Sequence, residues 1–369
     1  MFTNQDKFHV SIRTVLIVLI PLILFSCGDD SEDNPLGLPL KDDGFFIVNE
    51  GGFGNSNTSL SFYSLKTGEV TNNIFQLVNN RPLGDQSQSM AIHRGEGFIV
   101  VQNSAKIEVI DVDNFESIAS ITEGIESPRY FVGLDNDKGY VSDWGTDLSS
   151  GTVRVIDLEN YNVTKTISTG VGSNQMVIRD GFLYVANSGA FIADNSITVI
   201  DTNTDEVVQS IETGDNPSNL ALDNSGNIWV LGKGNLAFDA DFNLVVEEST
   251  PGFLSRLNSG NTIDLTYELT EITFGTADDL VINESGDQLY FNYNGGVWSV
   301  NPGNPAILTD PFISQNLYGL SLDPTTGNLI GTEALDFSSG GNMIFYNTSG
   351  GVVNSMTVGI GPNSIIFKD

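Results

Sequence analysis

Residues 197–217 read ITVIDTNTDEVVQSIETGDNP, and this stretch decides the fold. An apolar-rich segment, Ile197 to Ile200, precedes a polar turn at 202–206, and a second segment of alternating character follows at 207–211. Alternation of apolar and polar residues over about four to eight positions is typical of a strand that is buried on one face. The stretch therefore predicts two antiparallel strands joined by a tight turn.

The same unit recurs along the chain. The segments VRVID at 153–157 and IEVID at 107–111 are each followed by a polar turn and an alternating strand. The first strands of successive units begin near residues 89, 130, 175, 219, 279, 319 and 364, at intervals of 41, 45, 44, 60, 40 and 45 residues. A period in the low forties, with four strands per unit, is typical of a β-propeller. We therefore predict an all-β fold, a seven-bladed β-propeller of four-stranded antiparallel blades. A six-bladed ring, in which the 60-residue unit is misread, is the alternative.

The two ends of the repeat region are incomplete in a complementary way. The last strand, at 364–367, has no hairpin after it, and the first segment, at 45–48, has no first strand before it. We expect the C-terminal strand to complete the first blade, because closure of the ring in this way removes exposed sheet edges. The propeller is predicted as one domain over 44–369.

Charge and cysteine content exclude some partners and some sources of stability. The chain has 47 acidic and 15 basic residues, a formal net charge of −32. A field of this sign repels phosphate backbones, so nucleic acid is not an expected partner. The single cysteine, Cys27, excludes an internal disulfide.

The N-terminus has the pattern of an export signal. Lys7 and Arg13 precede TVLIVLIPLILF at 14–25, a run shorter than the roughly 20 apolar residues that span a bilayer. LFSC at 24–27 resembles a bacterial lipoprotein signal, which implies a signal peptide over 1–26 and acylation of Cys27. GDDSED at 28–33 resembles the tag that sends such lipoproteins to the outer face of the outer membrane, so residues 27–43 are predicted as a flexible acidic leader. A cleaved signal followed by a disordered leader is the alternative.

Two resemblances extend these predictions. The stretch 197–217 resembles the repeat of YncE-like propellers. NEGGFGNSN at 49–57, followed by SLSFY at 59–63, resembles the opening of the DUF5074 surface lipoproteins of Bacteroidetes, although Phe53 stands where the family usually has Trp. That group includes propellers that capture vitamin B12 over a TonB-dependent transporter. The resemblance implies a non-enzymatic, lipid-anchored protein on the outer membrane that captures a corrinoid such as cobalamin, without a cofactor of its own, and passes it to the transporter.

The long loops are predicted to lie on one face. In a propeller, the connections between second and third strands and between blades share one end of the ring. The long ones are 50–57, 143–151, 187–195, 233–253 and 333–341. Long loops on a rigid scaffold commonly carry binding residues. These loops contain aromatic residues outside the core pattern, namely Phe53, Trp144, Phe191, Phe238, Phe242 and Phe337. Aromatic rings bordered by amides suit a large, flat, amide-bearing ligand, unless each ring only caps its own blade.

The starts of the inner strands are expected to surround the mouth of the central channel on the same face. The residues predicted to bind ligand are Phe53, Asn55, Asn57, Gln88, Arg129, Tyr130, Trp144, Asn174, Phe191, Asn219 and Tyr318. Arg129 has an alternative role, since it could pair with a nearby carboxylate such as Asp143 or Asp279.

Catalytic chemistry has little support in the sequence. After the signal peptide, His93 is the only histidine, which disfavours histidine-based metal sites and Ser–His triads. Asp239 and Asp241 have the alternating oxygen spacing of a calcium loop but not the rest of the motif. A surface propeller that binds a protein or a glycan is the second functional hypothesis. A metal-dependent lactonase or esterase, with Asn174, Asn219 and Asp279 around a metal, is a distant third.

Overall fold

The computed structural model describes residues 34, 36–269, 272, 277–304, 306 and 309–368, which form a ring of seven antiparallel sheets. Blade 1 contains β1 (Gly44–Asn49), β2 (Ser59–Ser64) and β3 (Glu69–Thr71). Blade 2 contains β4 (Ser87–His93), β5 (Glu96–Val101), β6 (Lys106–Asp111) and β7 (Ser117–Ile121). Blade 3 contains β8 (Pro128–Gly133), β9 (Lys138–Asp143), β10 (Thr152–Asp157) and β11 (Asn162–Ser168). Blade 4 contains β12 (Ser173–Arg179), β13 (Phe182–Asn187), β14 (Ser196–Asp201) and β15 (Glu206–Glu212).

The remaining blades follow in chain order. Blade 5 contains β16 (Pro217–Leu222), β17 (Ile228–Gly232), β18 (Gly252–Leu257) and β19 (Ile263–Leu269). Blade 6 contains β20 (Asp278–Ile282), β21 (Leu289–Tyr293) and β22 (Gly296–Val300), with a bridge from Val297 to Ile313 on its outer side. Blade 7 contains β23 (Gly319–Leu322), β24 (Leu329–Glu333), β25 (Gly340–Tyr346) and β26 (Val352–Ile360), and β27 (Pro362–Phe367) ends the chain. One short helix, α1 (Ile74–Asn79), and 3-10 turns at Gln102–Ser104 and Val246–Glu248 complete the described elements.

The C-terminal strand closes the ring, as predicted. Strand β27 pairs antiparallel with β1, with Ile365 opposite Ile47 and Phe367 opposite Phe45. The inner strand of each blade is the one at the centre of the ring: it is β27 in blade 1 and the first strand in each of the other blades. Each inner strand contacts the inner strand of the next blade, and β27 contacts both β23 and β4. The seven-bladed prediction is confirmed and the six-bladed alternative is wrong. The long 60-residue interval arises from the connection between β17 and β18 within blade 5.

The core lies between neighbouring blades. Ile197 and Val199 of β14 pack in the cluster between blades 4 and 5, while Ile200 packs in the cluster between blades 3 and 4. Both faces of β14, the third strand of its blade, are therefore covered by neighbouring blades, and such strands have continuous apolar runs. Outer strands have one solvated side, and β15 is almost wholly exposed.

The packed unit starts at Pro39, before the predicted boundary at residue 44. Leu40 packs against the core cluster of blades 1 and 2, and the buried carboxylate of Asp42 accepts a hydrogen bond of 2.7 Å from the Ser64 hydroxyl. Residues 39–43 thus belong to the packed unit, while residues 27–33 of the predicted leader lie outside the described residues. The predicted signal peptide and Cys27 lie outside the described residues. None of the helices that the structure describes has the length and apolarity needed to cross a membrane.

Candidate ligand-binding site

Exposed aromatic side chains are concentrated at one end of the ring. We call this end the long-loop face; it carries the connections between second and third strands and those between blades. Among the described residues, every exposed aromatic side chain lies on this face. They are Phe53, Phe191, Phe238, Phe242, Tyr318 and Phe337. Exposed aliphatic residues, in contrast, also occur on outer strands and on the opposite face, as at Val208 and Leu65.

A cavity of about 620 Å³ opens at the centre of the ring, among the starts of the inner strands. Five of the predicted ligand-binding residues line it, namely Gln88, Arg129, Tyr130, Asn219 and Tyr318. Sequence reasoning did not include Glu50, Asp278 or Asn363 in the binding set, although they also line this cavity. Asp278 and Asn363 stand next to or at the start of inner strands, as the predicted residues do, and this position could have identified them.

Arg129 at the start of β8 is held by neutral groups. Its Nη1 donates a hydrogen bond of 2.5 Å to Oε1 of Gln102, and its Nε donates a weak one of 3.5 Å to Oδ1 of Asn174. The guanidinium also lies over the ring of Trp144. None of the ion pairs among the described residues includes Arg129, so the predicted pairing with Asp143 or Asp279 is wrong.

The two carboxylates have other partners. Asp143 accepts hydrogen bonds from the backbone N–H groups of Glu126 and Ser127, at 2.9 and 3.0 Å, and lies 3.6 Å from Nε of Arg154. Asp279 accepts a hydrogen bond of 3.0 Å from Nδ2 of Asn292. Burial, followed by the neighbouring charge of Asp278, raises the pKa of Asp279 well above its usual range.

A hydrogen-bonded group joins blades 7 and 1 at the cavity. The Tyr318 hydroxyl donates to one carboxylate oxygen of Glu50, and Nε2 of Gln86 donates to the other at 3.0 Å. Burial raises the pKa of Glu50 despite the opposing effects of Tyr318 and Arg129. Burial and the Glu50 charge likewise raise the pKa of the Tyr318 hydroxyl. Glu50 therefore has a reduced tendency to ionise at the cavity wall.

The loop 50–57 is held so that its aromatic tip is exposed. Gly51 has a φ of 82°, and Oδ1 of Asn57 accepts a hydrogen bond of 2.8 Å from the backbone N–H of Gly52. The backbone N–H of Gly54 donates to Asp85 at 3.1 Å. Between these fixed points, the Phe53 side chain is 74% exposed. Asn57 thus stabilises the loop, while Phe53 and Asn55 are exposed to solvent.

The other predicted binding residues differ in accessibility. Trp144 is half-buried, and no hydrogen-bond partner for its buried Nε1 occurs among the described residues. Asn174 and Asn219 are buried; Nδ2 of Asn174 donates to the Ser218 carbonyl at 3.0 Å, and Oδ1 of Asn219 accepts from the Ser218 hydroxyl at 2.8 Å. Phe191 is 86% exposed.

The weak metal prediction, at Asp239 and Asp241, includes one carboxylate that already has several donors. The Asp239 carboxylate accepts hydrogen bonds from the backbone N–H groups of Asp241 and Asn243, each at 2.9 Å, and from the Asn243 amide. In the part of the chain that the structure describes, no three or more His, Cys, Asp or Glu side chains are grouped as metal ligands would be.

The seven-bladed ring defines the protein as a β-propeller. Its candidate ligand-binding site is the central cavity together with the exposed aromatic residues of the long-loop face. The family model described as "Domain of unknown function (DUF5074)" matches residues 43–358, and the chain belongs to this family. The DUF5074 resemblance of the opening segment at 49–63 is thereby confirmed. No curated protein matches the chain.

Solved structures with the same fold have distant sequences. A quinoprotein alcohol dehydrogenase-like protein from Bacteroides thetaiotaomicron is 17% identical, with a TM-score of 0.68 over 89% of this chain and 79% of that one. A proposed 6-phosphogluconolactonase from Bacteroides fragilis is 12% identical, with a TM-score of 0.63 over 89% and 99% of the two chains. A functionally unknown protein from Desulfotomaculum acetoxidans is 16% identical, with a TM-score of 0.63 over 88% and 99%. At these identities the likeness concerns the fold alone.

Proposed function

We propose that this protein captures a corrinoid such as cobalamin on its long-loop face and passes it to a TonB-dependent outer-membrane transporter. One observation carries the proposal: all exposed aromatic side chains of the described residues lie on the face where the polar cavity opens. The resemblance of residues 49–63 to the DUF5074 surface lipoproteins, a group that includes B12-capturing propellers, supports the choice of ligand.

The chemistry of a corrinoid suits this arrangement. Its macrocycle is broad and flat, so it can lie across aromatic side chains such as Phe53 and Trp144. Its peripheral amides are hydrogen-bond donors and acceptors, which amide and hydroxyl groups such as Gln88 and Tyr130 can meet at the cavity wall. The proposed role of the face is binding without catalysis.

Attachment to the outer membrane is the second part of the proposal. The segment LFSC at 24–27 and the acidic run at 28–33 support acylation of Cys27 and display at the cell surface. A lipid-anchored propeller at this place can present its ligand to a transporter without crossing the membrane itself.

The test is a titration with cyanocobalamin, followed by its visible absorbance in equilibrium dialysis. Phe53→Ala removes an exposed ring from the long-loop face, whereas Leu65→Ala removes a side chain that is 56% exposed on the opposite face of the same blade. Truncation of an aromatic contact commonly costs more than about 1 kcal/mol, so Phe53→Ala should weaken binding at least about fivefold. Leu65→Ala should leave the affinity unchanged. Absence of binding at micromolar protein, or equal losses in the two variants, would overturn the proposal.

A further inference from the structure

Arg129 is a cation without a carboxylate partner at the cavity. No other Lys or Arg occurs among the described residues that line the cavity. Arg129 is in none of the ion pairs formed by the described residues. Most other basic side chains of the ring have such a partner, as Lys233 has in Asp278 at 2.9 Å. Removal of a charge from water without a counter-charge costs several kcal/mol. The cavity therefore holds a guanidinium that no carboxylate of the described residues contacts.

The Arg129 guanidinium is held in place, but not all of its N–H groups have hydrogen-bond acceptors. Gln102 and Asn174 accept from Nη1 and Nε, and the ring of Trp144 covers one face of the guanidinium. Nη2 forms no hydrogen bond with the residues that the structure describes. The planar fork of an arginine binds the two oxygens of a phosphate or carboxylate group, and a free Nη2 leaves part of that fork open.

Among the described residues, no carboxylate of the cavity forms an ion pair with Arg129, although the charges of Asp278 and Glu50 act on it from a greater distance. Asp278 pairs with Lys233, and Glu50 accepts hydrogen bonds from Tyr318 and Gln86. Burial raises the pKa of Glu50 and, together with Asp278, that of Asp279, so both carboxyl groups are less readily ionised.

We infer that Arg129 binds an oxyanion of the ligand through its guanidinium. The inference deepens the proposed function and rests on it for the identity of the ligand: in cobalamin the oxyanion is the phosphodiester of the nucleotide loop, which cobinamide lacks. Arg129 thus selects complete corrinoids over truncated ones, while the aromatic residues bind the macrocycle that both share.

The first arm of the test needs no corrinoid. Tryptophan fluorescence is followed while diethyl phosphate is added at constant ionic strength, because Trp144 stacks on Arg129 and reports on its surroundings. Neutral triethyl phosphate is the matched control. We expect a saturable change with the anion only, lost in Arg129→Gln and reduced in Arg129→Lys, which keeps the charge but not the fork. No saturable change in the unmodified protein, or the same change in Arg129→Gln, overturns the inference.

The second arm compares cyanocobalamin with dicyanocobinamide in the same variants. Loss of a charge-assisted contact should weaken cyanocobalamin binding by about tenfold or more in Arg129→Gln. Binding of dicyanocobinamide should change by less than about threefold, because it lacks the phosphodiester that Arg129 would contact. Equal losses of affinity for the two ligands would show that Arg129 only maintains the structure of the cavity entrance, and this result would overturn the inference.

The two arms separate the two proposals. If neither corrinoid binds but diethyl phosphate binds through Arg129, the proposed function fails and the oxyanion site stands. If both corrinoids bind and Arg129→Gln affects neither them nor the diethyl phosphate signal, the proposed function stands and the inference fails.

Discussion

The guanidinium carbon of Arg129 lies 4.1 Å from the centroid of the Trp144 ring. Arg129 is in the first strand of blade 3 and Trp144 follows the second strand, so one blade supplies both groups. A cation over a tryptophan face is attracted by the ring quadrupole, and the attraction increases when water is excluded. The contact joins the charged wall of the cavity to the aromatic residues of the long-loop face.

Trp144→Ala should weaken cyanocobalamin binding by about thirtyfold or more, since buried aromatic contacts commonly lose 2 kcal/mol or more on truncation. The variant removes both the ring and the support of Arg129. His93→Ala is the control, because His93 ends the first strand of blade 2 on the opposite face. Equilibrium dialysis measures the affinity of both variants for cyanocobalamin. A greater loss of affinity in His93→Ala than in Trp144→Ala would mean that the site lies on the face opposite the long loops.

Ile365→Ala should destabilise the ring closure by about 2 kcal/mol or more, because large-to-small changes in a core leave a cavity. Ile365 is buried opposite Ile47 in the strand that completes blade 1. Val353→Ala, at a position 66% exposed on an outer strand, should change stability by less than about 0.5 kcal/mol. Urea unfolding measures both, and similar midpoints would contradict the importance of the closing strand.

Glu108→Gln should destabilise the protein by about 2 kcal/mol at neutral pH. Burial alone would raise the pKa of Glu108, but hydrogen bonds from Arg81, Lys106 and Ser117 outweigh it and lower the pKa below the usual 4.5. A lowered folded-state pKa contributes stability that is present above 4.5 and is lost as the pH falls through the folded value. The difference between Glu108→Gln and the unmodified protein should therefore shrink in acid.

The control for Glu108 is an exposed ion pair. Glu206 lies 2.9 Å from Lys165, with 70% of its side chain exposed. Glu206→Gln should change the free energy of unfolding by less than about 1 kcal/mol, since water screens such pairs. Urea titrations at several pH values measure both variants, and a pH-independent deficit in Glu108→Gln would show that ionisation of Glu108 is not the cause.

Gly51→Ala should cost more stability than Gly54→Ala, although both glycines have positive φ, 82° and 75°, in the same loop. Alanine in this backbone region costs roughly 1–2 kcal/mol at either position. A Cβ at Gly51 would also lie 2.5 Å from Oδ1 of Asn57 and 2.8 Å from the backbone N of Thr58, whereas one at Gly54 meets nothing within 4 Å. Thermal melts compare the two, and equal shifts would mean that crowding at Gly51 is relieved by movement of the loop.

Cys27→Ala should release the protein from the membrane fraction. Acyl chains contribute about 0.8 kcal/mol per buried CH₂, and firm attachment takes more than one chain. Ser31→Ala, which leaves the cysteine intact, is the matched control and should stay in the membrane fraction. Fractionation combined with labelling by a palmitate analogue tests this. A Cys27→Ala protein that is still labelled and still sediments with membranes would refute acylation at this residue.

Local patterns explain why the number of blades could be predicted. The apolar segments such as 197–200, the alternation that follows at 207–211 and the repeat interval depend on neighbours in the chain, and they predicted where the strands lie. The start of β12, predicted near residue 175, and that of β16, predicted near 219, agree with the structure for this reason. The contact of Asp42 with Ser64, in contrast, was not predicted, because it has no local signature in the sequence.

The sequence by itself determined the ring, its closure by the last strand and the face that carries the long loops, because strand periodicity and repeat length are properties of contiguous residues. Only the tertiary structure decided which side chains meet at the cavity. Glu50 and Tyr318 are 268 positions apart and hydrogen-bond across the first and last blades. The partners of Arg129 were likewise decided in space, where Gln102 accepts its hydrogen bond and Trp144 stacks on it, whereas neither Asp143 nor Asp279 forms an ion pair with it. Partner choice depends on how neighbouring blades are packed, and no single repeat contains that information.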